Sequence, residues 1–96
     1  MSNWYLYLIR CHDGSLYTGT TTDVDRRFVE HCKNRGTGAK YLRGRGPLML
    51  VFQKKLGCRS LALTVESKVK KLSKVKKEEL IIKNSCIEEI IKQVMV

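Results

Sequence analysis

Trp4-Tyr5-Leu6-Tyr7-Leu8-Ile9-Arg10, then Cys11-His12-Asp13-Gly14, then Ser15-Leu16-Tyr17-Thr18-Gly19-Thr20 is the most informative run in the chain. Residues 4–10 are aromatic and branched enough for a strand, and Asp13-Gly14 turns the chain into a second strand from Ser15 to about Thr20. The two strands form an N-terminal hairpin, and its register decides which side chains share a face. A two-residue Asp-Gly loop would set Tyr17 opposite Arg10 and send Tyr7 to the other face. A three-residue loop, His12-Asp13-Gly14 with Gly14 in the left-handed bulge position, sets Ile9 opposite Tyr17 and Tyr7 opposite Gly19. The second register is the expected one. It gathers both phenols on one face and leaves open space at Gly19, beside Tyr7, for a phosphate.

Downstream, Thr22 or Asp23 caps a helix running to about Asn34, with Asp23 and Asp25 near its positive end and needing no further role. Val24, Phe28 and Cys32 repeat at i, i+4, i+8 and define its buried stripe. Arg27 and His31 border that stripe one turn apart, while Arg26 lies nearly opposite Val24 and should be solvated. Lys33 to Pro47 reads as a basic, glycine-rich loop with one short helical turn at 39–42. Its glycines allow backbone amides close to phosphate, Lys40, Arg43 and Arg45 add charge, and Tyr41 either stacks on an exposed base or packs on the core.

Leu48 to Lys54 is an apolar run suited to a central or well-covered third strand. Ser60 caps a following helix whose buried face is Ala62, Val65, Val69 and Leu72. Glu66 lies one residue off that face among lysines, either as a partner for Lys70 at i, i+4 or as a metal ligand. Ser73 caps a helix through about Ile82. Ser85-Cys86-Ile87-Glu88 reads as a capping box for a last helix with Ile87, Ile90, Ile91, Val94 and Met95 on one side. Residues 84–96 are thus expected to form an amphipathic helix packed on a domain of residues 1–83.

A chain of 96 residues, 43% apolar, can bury one modest core, so one domain is expected, without a separate specificity module. The formal charge of +10 favours a polyanionic partner, nucleic acid being the commonest. Cys11, Cys32, Cys58 and Cys86 form no C-x-x-C pair, which argues for reduced, mostly buried thiols rather than a disulfide framework or zinc ribbon. Adjacent Cys-His pairs also point to opposite faces of a strand and do not converge on one ion. No apolar stretch reaches membrane-spanning length and the N-terminus lacks a signal layout, so a cytoplasmic location is expected.

Taken together, the order Tyr…Tyr-x-Gly…Arg-x-x-x-His…Glu resembles the GIY-YIG nuclease family. Tyr5-Leu6-Tyr7 resembles its first motif, with Tyr5 and Leu6 in the glycine and isoleucine places; Tyr17-Thr18-Gly19 resembles the second, with Thr18 in the middle place and Thr20 where a basic residue often follows. Arg27 to His31 and Glu66 resemble the third and fourth elements, and Gly38-Ala39-Lys40-Tyr41-Leu42-Arg43-Gly44-Arg45-Gly46-Pro47 is similar to a stretch of the small single-domain bacterial members. The resemblance implies an α+β fold, a three-stranded antiparallel sheet flanked by helices, and divalent-metal-dependent hydrolysis of a DNA phosphodiester, in repair or processing. By matching position, Tyr7 or Tyr17 would orient or deprotonate the attacking water, with His31 assisting or holding the phosphate. Arg27 would stabilise the transition state, and Glu66 would bind Mg²⁺ or Mn²⁺. Specificity would come from DNA structure or a protein partner, the chain being a monomer or weak homodimer. A nucleic-acid-binding module with little catalysis is the alternative.

Overall fold

The computed structural model describes residues 3–33 and 38–95. Its strands are β1 (Trp4–Arg10), β2 (Leu16–Thr21) and β3 (Met49–Gly57), and its helices α1 (Val24–Cys32), α2 (Arg59–Lys70), α3 (Lys74–Ile82) and α4 (Asn84–Met95). The sheet is antiparallel in the order β2-β1-β3. Asn34, Arg35, Gly36 and Thr37, which the sequence assigns to the end of the first helix and the basic loop, lie outside the described residues.

The hairpin adopts the three-residue loop. Ile9 pairs with Tyr17 and Tyr7 with Gly19. The Cys11 N–H donates to Ser15 O at 2.8 Å, the Gly14 N–H to Cys11 O at 2.9 Å, and Gly14 has φ +85°. Asp13 reinforces the turn by accepting from the Ser15 N–H at 3.0 Å, the local side-chain bond that suits Asp to turns.

β1 occupies the centre because both of its faces are apolar. Leu6 and Leu8 point into a core with Phe52, Val65, Val69, Leu80 and Ile87, covered by α2, α3 and α4. Tyr7 and Ile9 point into a second cluster with Cys11, Val24 and Leu42, covered by α1 and the short 3-10 turn Lys40–Leu42. The third strand, whose apolar run suits a central or well-covered position, is an edge: Met49, Gln53 and Lys55 are exposed, and only Phe52 is buried. Its sequence is apolar in a run, yet the centre goes to β1, whose consecutive residues Leu6, Tyr7, Leu8 and Ile9 are all buried.

Helix ends depart from the sequence reading in small ways with clear causes. Asp23 caps α1 by accepting from the Arg26 N–H at 3.0 Å. The buried stripe of α1 runs through Val24 and His31, whereas Cys32 is exposed, because the chain returning at Gly38–Ala39 covers the His31 side. Cys58 rather than Ser60 is the N-cap of α2. Ser73 caps α3, accepting from Lys76 N–H at 3.3 Å. Helix α4 already begins at Asn84, which places Ser85 inside the helix, and Met95 is exposed while Ile87 is fully buried. The cysteines are free, but Cys32 and Cys58 are exposed rather than buried. Among the described residues no helix is long and apolar enough to cross a membrane.

Two charged ties anchor the hairpin to the helical layer and the loop. Arg10, on the core-facing side of β1, makes a bidentate pair with Glu78 of α3 at 2.6 and 2.7 Å. Arg45 pairs with Asp13 at 2.9 Å, and its carbonyl accepts the His12 N–H at 2.9 Å. These hold the hairpin tip against both neighbours and so fix the frame in which Tyr7 and Tyr17 sit.

Candidate active site

The pleat of the hairpin puts the phenols of Tyr7 and Tyr17 on the α1 side of the sheet, with ring centroids 6.4 Å apart. Tyr7 is only 2% exposed, because its ring lies across β2 directly over Gly19. A Cβ at Gly19 would overlap the phenol oxygen and ring carbon of Tyr7 and fall 3.1 Å from Tyr17 Cε2. The room that the sequence suggested for a phosphate at Gly19 is therefore filled by Tyr7 itself, and the glycine is required by a side chain of the same protein.

His31, in the last turn of α1, completes the cluster. Its ring centroid is 5.9 Å from that of Tyr7 and 5.5 Å from that of Tyr17. Nε2 lies 2.9 Å from Tyr7 Oη, and Nδ1 accepts the backbone N–H of Ala39 at 2.9 Å. Burial, reinforced by the Arg27 cation, pushes the His31 pKa down to about 4, with Glu30 opposing. The imidazole is thus neutral at neutral pH. Burial, followed by the neighbouring Tyr17, pushes the Tyr7 phenol up to about 12, while Arg27 pulls it back through charge and a hydrogen bond, and Glu66 raises it. Arg27 is half-buried and pairs with Glu30 at 2.9 Å, so it stands between a carboxylate and the Tyr7 phenol. Arg26, one residue earlier, is exposed.

Glu66 arrives from the other layer. Helix α2 packs on the opposite face of the sheet, and Glu66 reaches the β2 edge, where Thr20 Oγ1 donates to Oε1 at 3.2 Å and Lys70 Nζ lies 3.2 Å from Oε2. Its side chain is 16% exposed and opens on a shallow cleft of about 390 Å³ lined by Leu63, Ser67, Lys70 and Lys71. Thr20, which stands where a basic residue often follows the second motif, thereby orients this carboxylate. Lys74 Nζ comes 3.5 Å from the position of a Cβ on Gly14. Lys70 and Lys74 therefore bracket β2 at its two ends. Among the described residues no group of three or more His, Cys, Asp or Glu side chains converges as a metal cage.

The loop from Gly38 to Pro47 closes the other flank. Tyr41, 45% exposed, stacks on Tyr17 with centroids 5.8 Å apart and 27° between planes, and the Arg45 guanidinium sits 4.3 Å from the Tyr41 ring centre. Tyr41 and Arg45, read from sequence as contacts for a base and a phosphate, already have partners within the protein: Tyr17 for the first, Tyr41 and Asp13 for the second. Lys40 and Arg43 are exposed beside them. Sequence reasoning missed the contact of Gly38 and Ala39 with His31, for which the only local signal is the Gly-Ala step itself. It also missed the bond from Thr20 to Glu66, which joins residues 46 positions apart.

Residues 3–79 match the family profile described as the GIY-YIG catalytic domain. The chain is 57% identical over 81 residues to a UPF0213 protein of Cronobacter sakazakii, covering 84% of this chain and 83% of that one. It is 52% identical over 91 residues to the UPF0213 protein YhbQ of Escherichia fergusonii, covering 95% and 89%. Two solution NMR structures are similar: the UPF0213 protein BH0048 from Bacillus halodurans, with 49% identity, TM-score 0.53 and 82% of each chain covered, and the protein EF2693 from E. faecalis, with 40% identity, TM-score 0.58 and 84% of each chain covered. This chain belongs to the GIY-YIG family, alongside small UPF0213 proteins of bacteria.

Proposed function

We propose that this protein hydrolyses phosphodiester bonds in DNA using Mg²⁺ or Mn²⁺ held at Glu66, acting on DNA structure rather than sequence, in repair or processing. The observation that carries the reading is the convergence of Tyr7, Tyr17, Arg27 and His31 in one cluster whose electrostatics also feel Glu66 at the sheet edge. Such a set supplies a proton acceptor, a cation for the phosphoryl transition state and an anionic anchor for a metal.

The residues at Glu66 fit a hard cation. A carboxylate held by a hydroxyl, next to an open cleft and outside any cluster of three or more metal-ligating side chains among the described residues, suits an ion that keeps most of its waters and takes substrate phosphate oxygens. When bound, the cation would neutralise charge on the phosphate and its leaving oxygen. The chain's own residues do the rest. Arg27 directs its guanidinium toward the Tyr7 hydroxyl, where a phosphate held against the sheet would share it. Tyr7 or Tyr17 orients the attacking water. A phenol serves as base only if its pKa falls, and in Tyr7 the Arg27 charge already opposes burial in that direction. Lys70, Lys71 and Lys74, together with Lys40 and Arg43 on the loop flank, supply sequence-independent charge for the DNA backbone. The protein would act in the cytoplasm as a monomer or weak homodimer, with a protein partner as a further source of targeting.

One observation favours the second reading, a nucleic-acid-binding module with little catalysis: Glu66 is already neutralised by Lys70. A cleavage assay on single-stranded, duplex, flap and branched DNA, with Mg²⁺, Mn²⁺ or a chelator, separates the two. Metal-dependent product on any of these supports the nuclease; binding without product in every case supports the module.

A further inference from the structure

The atoms around His31 constrain where its proton sits. A backbone amide can only donate, so the 2.9 Å contact from Ala39 N–H requires a lone pair on Nδ1. An imidazolium would carry a proton there and oppose donor to donor. A neutral ring that accepts at Nδ1 carries its one proton on Nε2, and Nε2 lies 2.9 Å from Tyr7 Oη. Hence His31 donates and the phenol oxygen accepts. The Tyr7 hydroxyl proton then cannot point at His31 and is left to donate a hydrogen bond to a water or phosphate oxygen.

Gly38 is what lets the amide reach. A Cβ there would stand 2.7 Å from His31 Cα, 2.9 Å from Glu30 O and 3.1 Å from His31 Nδ1, so the chain can lie flat on the last turn of α1 only with glycine at this place. The amide follows directly, with Ala39 extended at φ −64°, ψ 137° before the 3-10 turn begins. The ring is 2% exposed, so an unpartnered Nδ1 would be costly and the contact is not interchangeable with water.

We propose that Gly38 and the Ala39 backbone N–H are positioning residues of this site: they lock His31 in the Nε2–H tautomer, which makes it a fixed donor to Tyr7 rather than an acceptor of the Tyr7 proton. The proposal rests on the nuclease reading for its consequence, since it leaves His31 unable to serve as the base toward Tyr7 and turns it into the group that stabilises a Tyr7 phenolate. When solvent hydroxide takes the phenol proton, forming water, the Nε2–H···O bond becomes charge-assisted and strengthens with no proton transferred to the ring, and the phenolate oxygen can then take a proton from the attacking water. Neither Gly38 nor Ala39 touches the reacting atoms; both act through His31.

The test is ¹⁵N NMR on the free protein at neutral pH, with His12, the other histidine, assigned through a His12→Gln variant. The expected result is an unprotonated Nδ1 and a protonated Nε2 on His31, with a scalar coupling across the hydrogen bond between the Ala39 amide nitrogen and Nδ1. A protonated Nδ1, or no such coupling, overturns the proposal. Gly38→Ala should abolish the coupling, mix the tautomers and slow single-turnover cleavage about 10²-fold at saturating DNA without weakening DNA affinity. A Gly38→Ala protein that keeps both coupling and rate also overturns it, and if that variant fails to fold, the wild-type coupling alone decides. The NMR readout needs neither DNA nor metal. An inactive protein with the stated tautomer contradicts the nuclease reading only, and an active one with the opposite tautomer contradicts this proposal only.

Discussion

Gly19→Ala probes the geometry of the cluster with a single methyl group. Gly19 is not in the left-handed region, so the effect is steric. The added Cβ would overlap the Tyr7 phenol, and β2 cannot retreat because Gly19 pairs with Tyr7 in the middle of the ladder. Tyr7 must swing out, giving up its buried bond to His31. Overpacking of this kind costs about 1–3 kcal/mol and the lost hydrogen bond about 1 kcal/mol more, for a total of roughly 2–4 kcal/mol. In a domain of this size that lowers Tm by roughly 10 °C or more. Displacing the phenol by about 1 Å should also slow single-turnover cleavage about 10²-fold. Gly46→Ala is the control, since a Cβ there meets nothing closer than 4.0 Å. The assay pairs thermal unfolding with cleavage at saturating enzyme. A Gly19→Ala protein that melts with Gly46→Ala and cuts at the wild-type rate would show that Tyr7 does not need the space above Gly19. Lost stability with an unchanged rate would mean that Tyr7 is a core residue rather than a catalytic one.

Arg27→Ala should slow single-turnover cleavage by ~10²-fold while Arg26→Ala leaves it nearly unchanged, because both remove one charge but only Arg27 reaches Tyr7; equal rates would reduce α1 to diffuse charge. Among the described residues the buried Thr18 Oγ1 has no hydrogen-bond partner, so Thr18→Val, which keeps the shape and deletes the orphan hydroxyl, should stabilise by about 1–2 kcal/mol, read as a raised Tm. The His31 pKa is about 4 folded against 6.5 in the unfolded chain, so the unfolded state binds more protons between these values. Its stabilising contribution is complete above pH 6.5 and is lost as pH falls toward 4, by at most about 3 kcal/mol, and urea unfolding across that window should show the slope, flattened in His31→Asn.

The hairpin was legible because two local rules act together. The pleat ties register to facing, and Asp13-Gly14 admits few loop lengths, so choosing the loop that gathers both phenols also chose the pairing. Arg27 was separated from Arg26 by helical periodicity alone, and Ser73 announced its helix. The position of β3 was not legible: a run of apolar residues reads the same at a centre or a covered edge, and only the doubly buried β1 decides the order. The site's fine structure was hidden for a related reason. Which side chain fills the space at Gly19, which group reaches Nδ1 of His31, and what orients Glu66 depend on contacts between segments that no local pattern encodes. Tyr41 and Arg45 show the converse, residues whose chemistry suits nucleic acid but which pack on each other and on Tyr17 and Asp13.

Hydrolysis with a cation at Glu66 can be checked by comparing the wild-type protein with Glu66→Gln on the best-cut labelled DNA, each with Mg²⁺ and with a chelator. The expected outcome is cleavage by the wild type only when the cation is present and none by Glu66→Gln, with DNA affinity of the variant equal or higher, since a negative charge near phosphate has been removed. Cleavage by Glu66→Gln at the wild-type rate, or cleavage by the wild type in chelator, would contradict it and leave Glu66 as the helical partner of Lys70.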